Sequence, residues 1–231
     1  MTADPRATRL PAGSGVPAVG LVPREFLGRS AVDVAPDLLG CVLEHQAADG
    51  LVAVALTEVE AYAGEVDPAS HAYRGRTGRN AVMYGPPGHA YVYFTYGMHF
   101  CVNVVCLPEG IASAVLLRAG RVVAGEGLAR DRRPVDGPAR DLARGPARLC
   151  QALGIDRRLD GADLSDEASP LRLRKAVATV RSEEKTAIHT GPRVGVREGA
   201  DVPWRFWLDG AATVSAYRPY VRRRRALEPG E

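Results

Sequence analysis

Apolar and polar positions alternate along LVAVALTEVEAY (residues 51–62), the spacing of a strand whose successive side chains face opposite ways. The same period recurs over 90–95, 99–106 and 113–118, with shorter runs near 194–197, 205–208 and 213–216. The run AYVYFTYGMHFCVNVVC breaks at Tyr96-Gly97-Met98 and predicts a hairpin turned at Gly97. Helical signals are fewer. Ser30 is placed to cap a helix to about Leu39, with Gly40 terminating it. Pro146 suits a first helical position and Gly154 a stop, which predicts a helix from Pro146 to Leu153. Strands in succession, with helices before and after, favour an α+β fold over a doubly wound sheet.

Residues 1–20 and 221–231 lack periodicity. They read as a flexible N-terminal extension and a basic C-terminal tail around one domain at 21–220. The connection from Ala63 to His89 is long, polar and rich in Gly and Pro, and a loop of that length inside a domain is often functional.

Composition narrows the class without naming a function. A chain of 231 residues has room for one generous core, and 46% apolar with 25% charged residues is ordinary for a soluble globular protein. No stretch approaches the roughly 18 apolar residues of a membrane helix, and no signal peptide is visible, so the expected location is cytoplasmic. Cys41, Cys101, Cys106 and Cys150 are scattered with no C-x-x-C pair, which reads as reduced, buried cysteines rather than a zinc site. A net charge of +3 does not by itself argue for nucleic acid. Basic runs at Arg130–Arg133 and Arg222–Arg225 can meet phosphates. Of the 30 Lys and Arg, however, only Lys175 and Lys185 are lysine, so much of the arginine reads as compositional bias.

Chemistry enters with the first strand. An uninterrupted period of two puts Val52, Val54, Leu56, Glu58, Glu60 and Tyr62 on one face, with Glu60 where the core gives way to a cleft. A carboxylate at such a boundary can serve as a general base. Equally, Glu58 or Glu60 can simply pair with one of the many arginines. Arg118 closes the strand SAVLLRA in a comparable position, where it can orient a water against a carboxylate or form a salt bridge. Tyr91 and Tyr93 share a strand face, as stacking platforms or as core. Tyr96 stands at the hairpin tip, where an aromatic can wedge between bases.

Together these segments resemble the alkyladenine (3-methyladenine) DNA glycosylase family, the monofunctional kind without a helix-hairpin-helix. TEVEAY, DPASHAYRGRTGRN, MYGPPGHAYVYFTYGMHFCVNVV, AVLLRA, RGPARLCQALGI and RVGV…PWRFWL occur in the family's order and span residues 22–218. The resemblance implies a single compact domain with a mostly antiparallel curved sheet, flanking helices and a protruding β-hairpin. It implies Glu60 as the carboxylate that deprotonates the attacking water and Arg118 as the arginine that helps hold that water. Tyr62, His71 and Tyr93 are implied as aromatic walls around an extruded base. Asn103 is implied as the pocket-floor amide that disfavours the exocyclic amine of guanine, and Tyr96 as the residue that fills the gap in the stack. No metal or cofactor is implied. The implied partner is double-stranded DNA containing damaged purines, bound by a monomer, with no membrane.

The residue types fit that chemistry. A base must leave the duplex to be reached, at a cost of a few kcal/mol, and stacking returns about 1–3 kcal/mol per base. Alkylated purines leave readily, and a carboxylate can stabilise the oxocarbenium-like sugar while delivering water. A lyase activity needs an amine for a Schiff base. Both lysines lie outside every block and only the α-amino group remains, on the flexible extension, which predicts hydrolysis without strand cleavage. Two other readings compete: a non-catalytic lesion-binding module, in which Glu60 is replaceable, and a small-molecule hydrolase, with no use for Tyr96.

Overall fold

The computed structural model describes residues 18–95, 97–134, 136–176 and 187–221. The sheet is organised on its longest described strand, β3 (Gly50–Tyr62). Along one edge β3 pairs with β6 (Ala114–Ala124). The other edge is shared: β2 (Val42–Ala47) takes Gly50 to Ala55, and β9 (Arg205–Leu208) takes Glu58 to Glu60. β4 (Ala90–Thr95) and β5 (His99–Val105) form the predicted hairpin beside β6. β7 (Leu171–Ala176) bridges β2 to β1 (Ala18–Leu21), and β8 (Ile188–Gly191) borders β9. All these pairings are antiparallel, giving a curled nine-stranded sheet. With short helices α1 (Arg24–Leu27), α2 (Ala31–Asp37), α3 (Glu126–Asp131) and α4 (Pro146–Leu153), this is an α+β domain.

The partner of β3 changes at Thr57, and there the strand bulges. Leu56 pairs with Gly120, Glu58 with Ala119 and Val59 with Leu117, so Thr57 is an extra residue on β3 and Arg118 one on β6. An inserted residue shifts a period of two by one and turns every later side chain to the other face. Val52, Val54 and Leu56 enter the main core, but beyond the bulge it is Val59 and Ala61 that do so. The single face expected from alternation, Val52 through Tyr62, is therefore broken: Glu58, Glu60 and Tyr62 lie opposite the apolar residues that precede them.

The core explains why this face is available. Val102, Val104, Val115 and Leu117 pack with Leu149, Cys150 and Leu153 of α4 and with Val34 and Leu38 at α2. At about 25 cal/mol per Å² of apolar area buried, this is the main favourable contribution to folding. A second, smaller cluster joins Tyr91, Val105 and Ala114 to Ala72, Met83 and Tyr84 of the 63–89 connection. That connection thus covers the opposite face of β4–β6 and leaves a cavity beside it.

α4 has the predicted bounds, from Pro146 at its first position to a left-handed Gly154 (φ 69°). α2 is shorter than expected but is capped as expected, Ser30 Oγ accepting from the Asp33 N–H at 3.2 Å. β6 continues six residues beyond the predicted end at Arg118. A Cβ at Gly120, within that extension, would lie 2.3 Å from the Ala55 carbonyl oxygen, so only glycine lets β3 approach. β1, β2, β7 and β8 were not anticipated, and β1 begins at Ala18, inside the stretch expected to be a flexible extension. Residues 194–197 and 213–216, expected as strands, are irregular. Among the described residues no helix is long and apolar enough to cross a membrane, and all four cysteines are buried.

Candidate active site

Pairing across the sheet places one residue from each of five strands in a row. Tyr91 faces Asn103, Asn103 faces Leu116, Leu116 faces Glu60, and Glu60 faces Arg205. Cross-strand partners share a face, so Tyr91, Asn103, Leu116 and Glu60 converge without any loop having to place them. Tyr62, His71, Tyr91, Tyr93, Asn103 and Arg118 line a cavity of about 1270 Å³ on that face. Five of them were expected from the sequence.

Glu60 is fully buried (0 % exposed) and does not itself line the cavity; it lies behind Tyr62, Arg118 and Val194, which do. Its Oε2 accepts from the Tyr62 hydroxyl at 2.9 Å and is 3.2 Å from Arg118 Nη1. Its Oε1 accepts from the Val194 N–H at 2.7 Å. A carboxylate offers roughly four acceptor directions. Among the described residues, Oε1 therefore keeps capacity for one further donor. Burial, and then the Glu60 charge, push the Tyr62 hydroxyl well above its usual range, which keeps it a donor.

Glu58 holds the other side of Arg118. Its Oε1 accepts from Arg118 Nε at 2.8 Å and from Arg205 Nε at 2.8 Å, and its Oε2 from the Ser215 N–H at 2.7 Å. Burial raises the Glu58 carboxyl, but Arg118 and Arg205 outweigh it and leave the group below the usual carboxylate range. Burial likewise opposes the Arg118 charge, and Glu60 and then Glu58 overcome it, so the guanidinium is more firmly protonated than usual. Two carboxylates and two guanidiniums form a formally neutral buried cluster, the condition under which buried charge is tolerable.

The aromatic residues meet as a wall. His71 and Tyr93 stand edge to face with ring centroids 4.5 Å apart, and Tyr91 lies 5.5 Å from Tyr93 at 31°. His71 Nδ1 is 3.0 Å from the Tyr91 hydroxyl. Although His71 as a residue is exposed, its ring is sheltered on the cavity side, and that burial, then the Arg79 cation, lower its pKa. The imidazole is thus neutral at neutral pH. Asn103 Nδ2 donates to the Tyr91 carbonyl at 3.0 Å, which fixes the amide's orientation on the cavity floor. Tyr96 lies outside the described residues; Thr95 and Met98, on either side of the hairpin turn, line the cavity mouth.

The loops are held by one buried ion pair. Arg193 Nη1 and Nη2 reach the two carboxylate oxygens of Asp67 at 2.5 and 2.9 Å, and Nη1 also donates to the Ala61 carbonyl at 3.0 Å. Asp67 itself accepts from the N–H groups of Ala63 and Ala69. The Arg193 guanidinium lies 4.8 Å from the Tyr62 ring centroid. This fixes the 63–75 loop against the segment that carries Val194. Sequence reasoning left Tyr91 open between stacking platform and core and Glu58 as one candidate partner for an arginine, and it missed Arg193, Arg205 and Ser215 and the Val194 N–H. All but Ser215 fall within the ordered blocks, but only their spatial partners reveal what they hold.

Comparison with known proteins shows the family. Residues 25–212 match the family model described as "Methylpurine-DNA glycosylase (MPG)". A relative from Streptomyces avermitilis is 54% identical over 204 residues, covering 87% of this chain and 94% of its own. One from Leifsonia xyli subsp. xyli is 55% identical over 203 residues (84% and 92%), and one from Burkholderia lata 49% over 203 (88% and 94%). Each of the three carries the name "Putative 3-methyladenine DNA glycosylase".

Proposed function

We propose, from the premise that this chain belongs to the methylpurine-DNA glycosylase family, that it flips alkylated or deaminated purines out of duplex DNA and hydrolyses their N-glycosidic bond. The observation that carries the reading is Glu60: a fully buried carboxylate, held by Tyr62, Arg118 and Val194, beside a cavity with aromatic walls.

In this reading Tyr62, His71 and Tyr93 stack the extruded base, and Asn103 discriminates against the exocyclic amine of guanine. Tyr96, from the hairpin turn, occupies the gap in the duplex. A water bound to Glu60 Oε1 attacks the anomeric carbon. Its proton passes to Glu60, the glycosidic bond breaks, and the bonding electrons leave with the base. Arg118 keeps Glu60 and the water aligned while positive charge develops on the sugar. The base-excision product is an abasic site.

The placement of the amines supports hydrolysis without strand cleavage, the α-amino group lying, like Lys185, outside the described residues. Lys175 is exposed on β7 and does not line the cavity, and Lys185 lies outside the described residues. A Schiff-base mechanism needs an amine within reach of the sugar.

The test uses duplex oligonucleotides carrying 3-methyladenine, 7-methylguanine, hypoxanthine or ethenoadenine, with released base measured for the wild type and Glu60→Gln. The expected result is release by the wild type and a loss on the order of 10²–10⁴-fold in the variant, the usual contribution of a positioned base. No release from any substrate while DNA is bound favours the lesion-binding module instead. Strand breaks without alkali refute the monofunctional reading.

A further inference from the structure

The residues matched to the family end at 212, but the chain does not leave the site there. Thr213 Oγ1 lies 2.8 Å from Thr57 Oγ1, at the bulge of β3. The Val214 carbonyl accepts from Arg144 Nε at 2.9 Å, and the Arg218 carbonyl from the Gly195 N–H at 2.9 Å. Between these anchors Ser215 commits every polar group it has. Its N–H donates to Glu58 Oε2 at 2.7 Å and its hydroxyl to Glu58 Oε1 at 2.9 Å. The hydroxyl oxygen accepts from Arg118 Nη2 at 3.3 Å, and the carbonyl accepts from Arg205 Nη2 at 2.8 Å.

We infer that Ser215 is a positioning residue for the water-activating pair, acting through Glu58 and Arg118 to hold the guanidinium against Glu60. Each nitrogen of Arg118 has its own partner: Nε meets Glu58, Nη1 meets Glu60, and Nη2 meets the Ser215 hydroxyl. A planar guanidinium held at all three nitrogens cannot rotate. Held only by its two carboxylates, it is free to pivot about their common edge, and the Nη1 contact to Glu60 loosens. The hydroxyl also donates to Glu58, so it closes a ring of Glu58, Arg118 and Ser215 that neither ion pair makes alone. Neighbouring Gly195 follows Val194, whose N–H fixes the other oxygen of Glu60. The C-terminal segment therefore braces Glu60 from both sides.

The inference rests on the glycosylase reading, and its test separates the two. Ser215→Ala in the full chain should slow single-turnover base release on the order of tenfold, the size expected for a hydrogen bond to a charged group. Affinity for a duplex with an abasic-site analogue should not change. Ser215→Thr, which keeps the hydroxyl, should restore the rate. Thr213→Val releases an anchor two residues away without touching Arg118, so it should lower the melting temperature and slow base release less than Ser215→Ala does. A wild-type rate for Ser215→Ala, a failure of threonine to rescue, or an equal loss in Thr213→Val would overturn the positioning role. Solvent exchange of the Arg118 Nε proton, followed by NMR, needs no substrate: it should accelerate in Ser215→Ala. Unchanged exchange refutes the inference even if the wild type releases no base, whereas an inactive wild type with faster exchange in the variant refutes only the glycosylase reading.

Discussion

Replacing Glu58 with glutamine tests how the buried charges are balanced. The substitution keeps the volume but leaves Arg118 and Arg205 facing Glu60 alone, a net charge of one in a site with no exposed side chain among these four. Removing one partner from a buried ion pair costs about 3–5 kcal/mol. For a domain of this size each kcal/mol shifts the melting temperature by about 2–4 °C, so a fall on the order of 10 °C is expected. The pH dependence carries the sharper test. The Glu58 carboxyl sits below its ordinary value in the folded protein, because Arg118 and Arg205 outweigh the effect of burial. A depressed carboxylate contributes stability that is fully present above its unfolded pKa, about 4.3, and is lost as pH falls through the folded value. The wild type should therefore exceed Glu58→Gln in stability at pH 7, and the gap should close as the medium is acidified below about 4.3. Equilibrium denaturation at several pH values measures it. A gap of the same size at acid and neutral pH, or none at pH 7, would refute the view that Glu58 is an ionised anchor.

Three further substitutions probe other parts of the site. Asn103→Ser removes the amide held by the Tyr91 carbonyl and should raise release of undamaged guanine; unchanged discrimination in a competition assay would remove Asn103 from that role. Arg193→Met strips Asp67 of its bidentate partner in a fully buried setting and should cost about 3–5 kcal/mol in denaturant titration. A midpoint unchanged within error would show that the loop pair contributes nothing. Gly120→Ala sets a methyl 2.3 Å from the Ala55 carbonyl oxygen and 2.4 Å from Val54 Cγ1, forcing β3 and β6 apart; a destabilisation of about 1–3 kcal/mol or more is expected by thermal melting. Wild-type melting would mean that the strands part at no cost.

Which of these features the sequence reveals depends on whether their cause is local. The ends of α4 are legible because Pro146 and Gly154 act on their own backbone. The hairpin of β4 and β5 is legible from its alternation and Gly97. The bulge is not, since whether Thr57 is paired or inserted depends on β6 and on the exchange of β2 for β9 along one edge. Val194 and Ser215 sit in runs that look like strands, but their N–H groups go to carboxylates rather than to a ladder. β7 shows the reverse case: LRLRKA alternates clearly, with Leu171 and Leu173 in the core and Arg174 on Glu44, so its signal was present and went unread.

For the glutamates, strand alternation left a choice between a general base and an ordinary ion pair, and the geometry shows why that choice was badly posed. Residues two apart on one face of a strand are close enough for one guanidinium to span both, and Arg118 does so. A lone buried Glu60–Arg118 pair would consume the carboxylate's partner in neutralising it. With Glu58 and Arg205 present, the cluster is formally neutral as a whole, and Arg118 is held by Glu58 as well as by Glu60. Glu60 is left bound on Oε2 and only half engaged on Oε1, which is what a carboxylate needs if it is to take a proton from water. The ion pair and the orientation of Glu60 are therefore parts of one cluster, not alternatives. Both glutamates are turned away from the core by the bulge, at a spacing that one guanidinium spans.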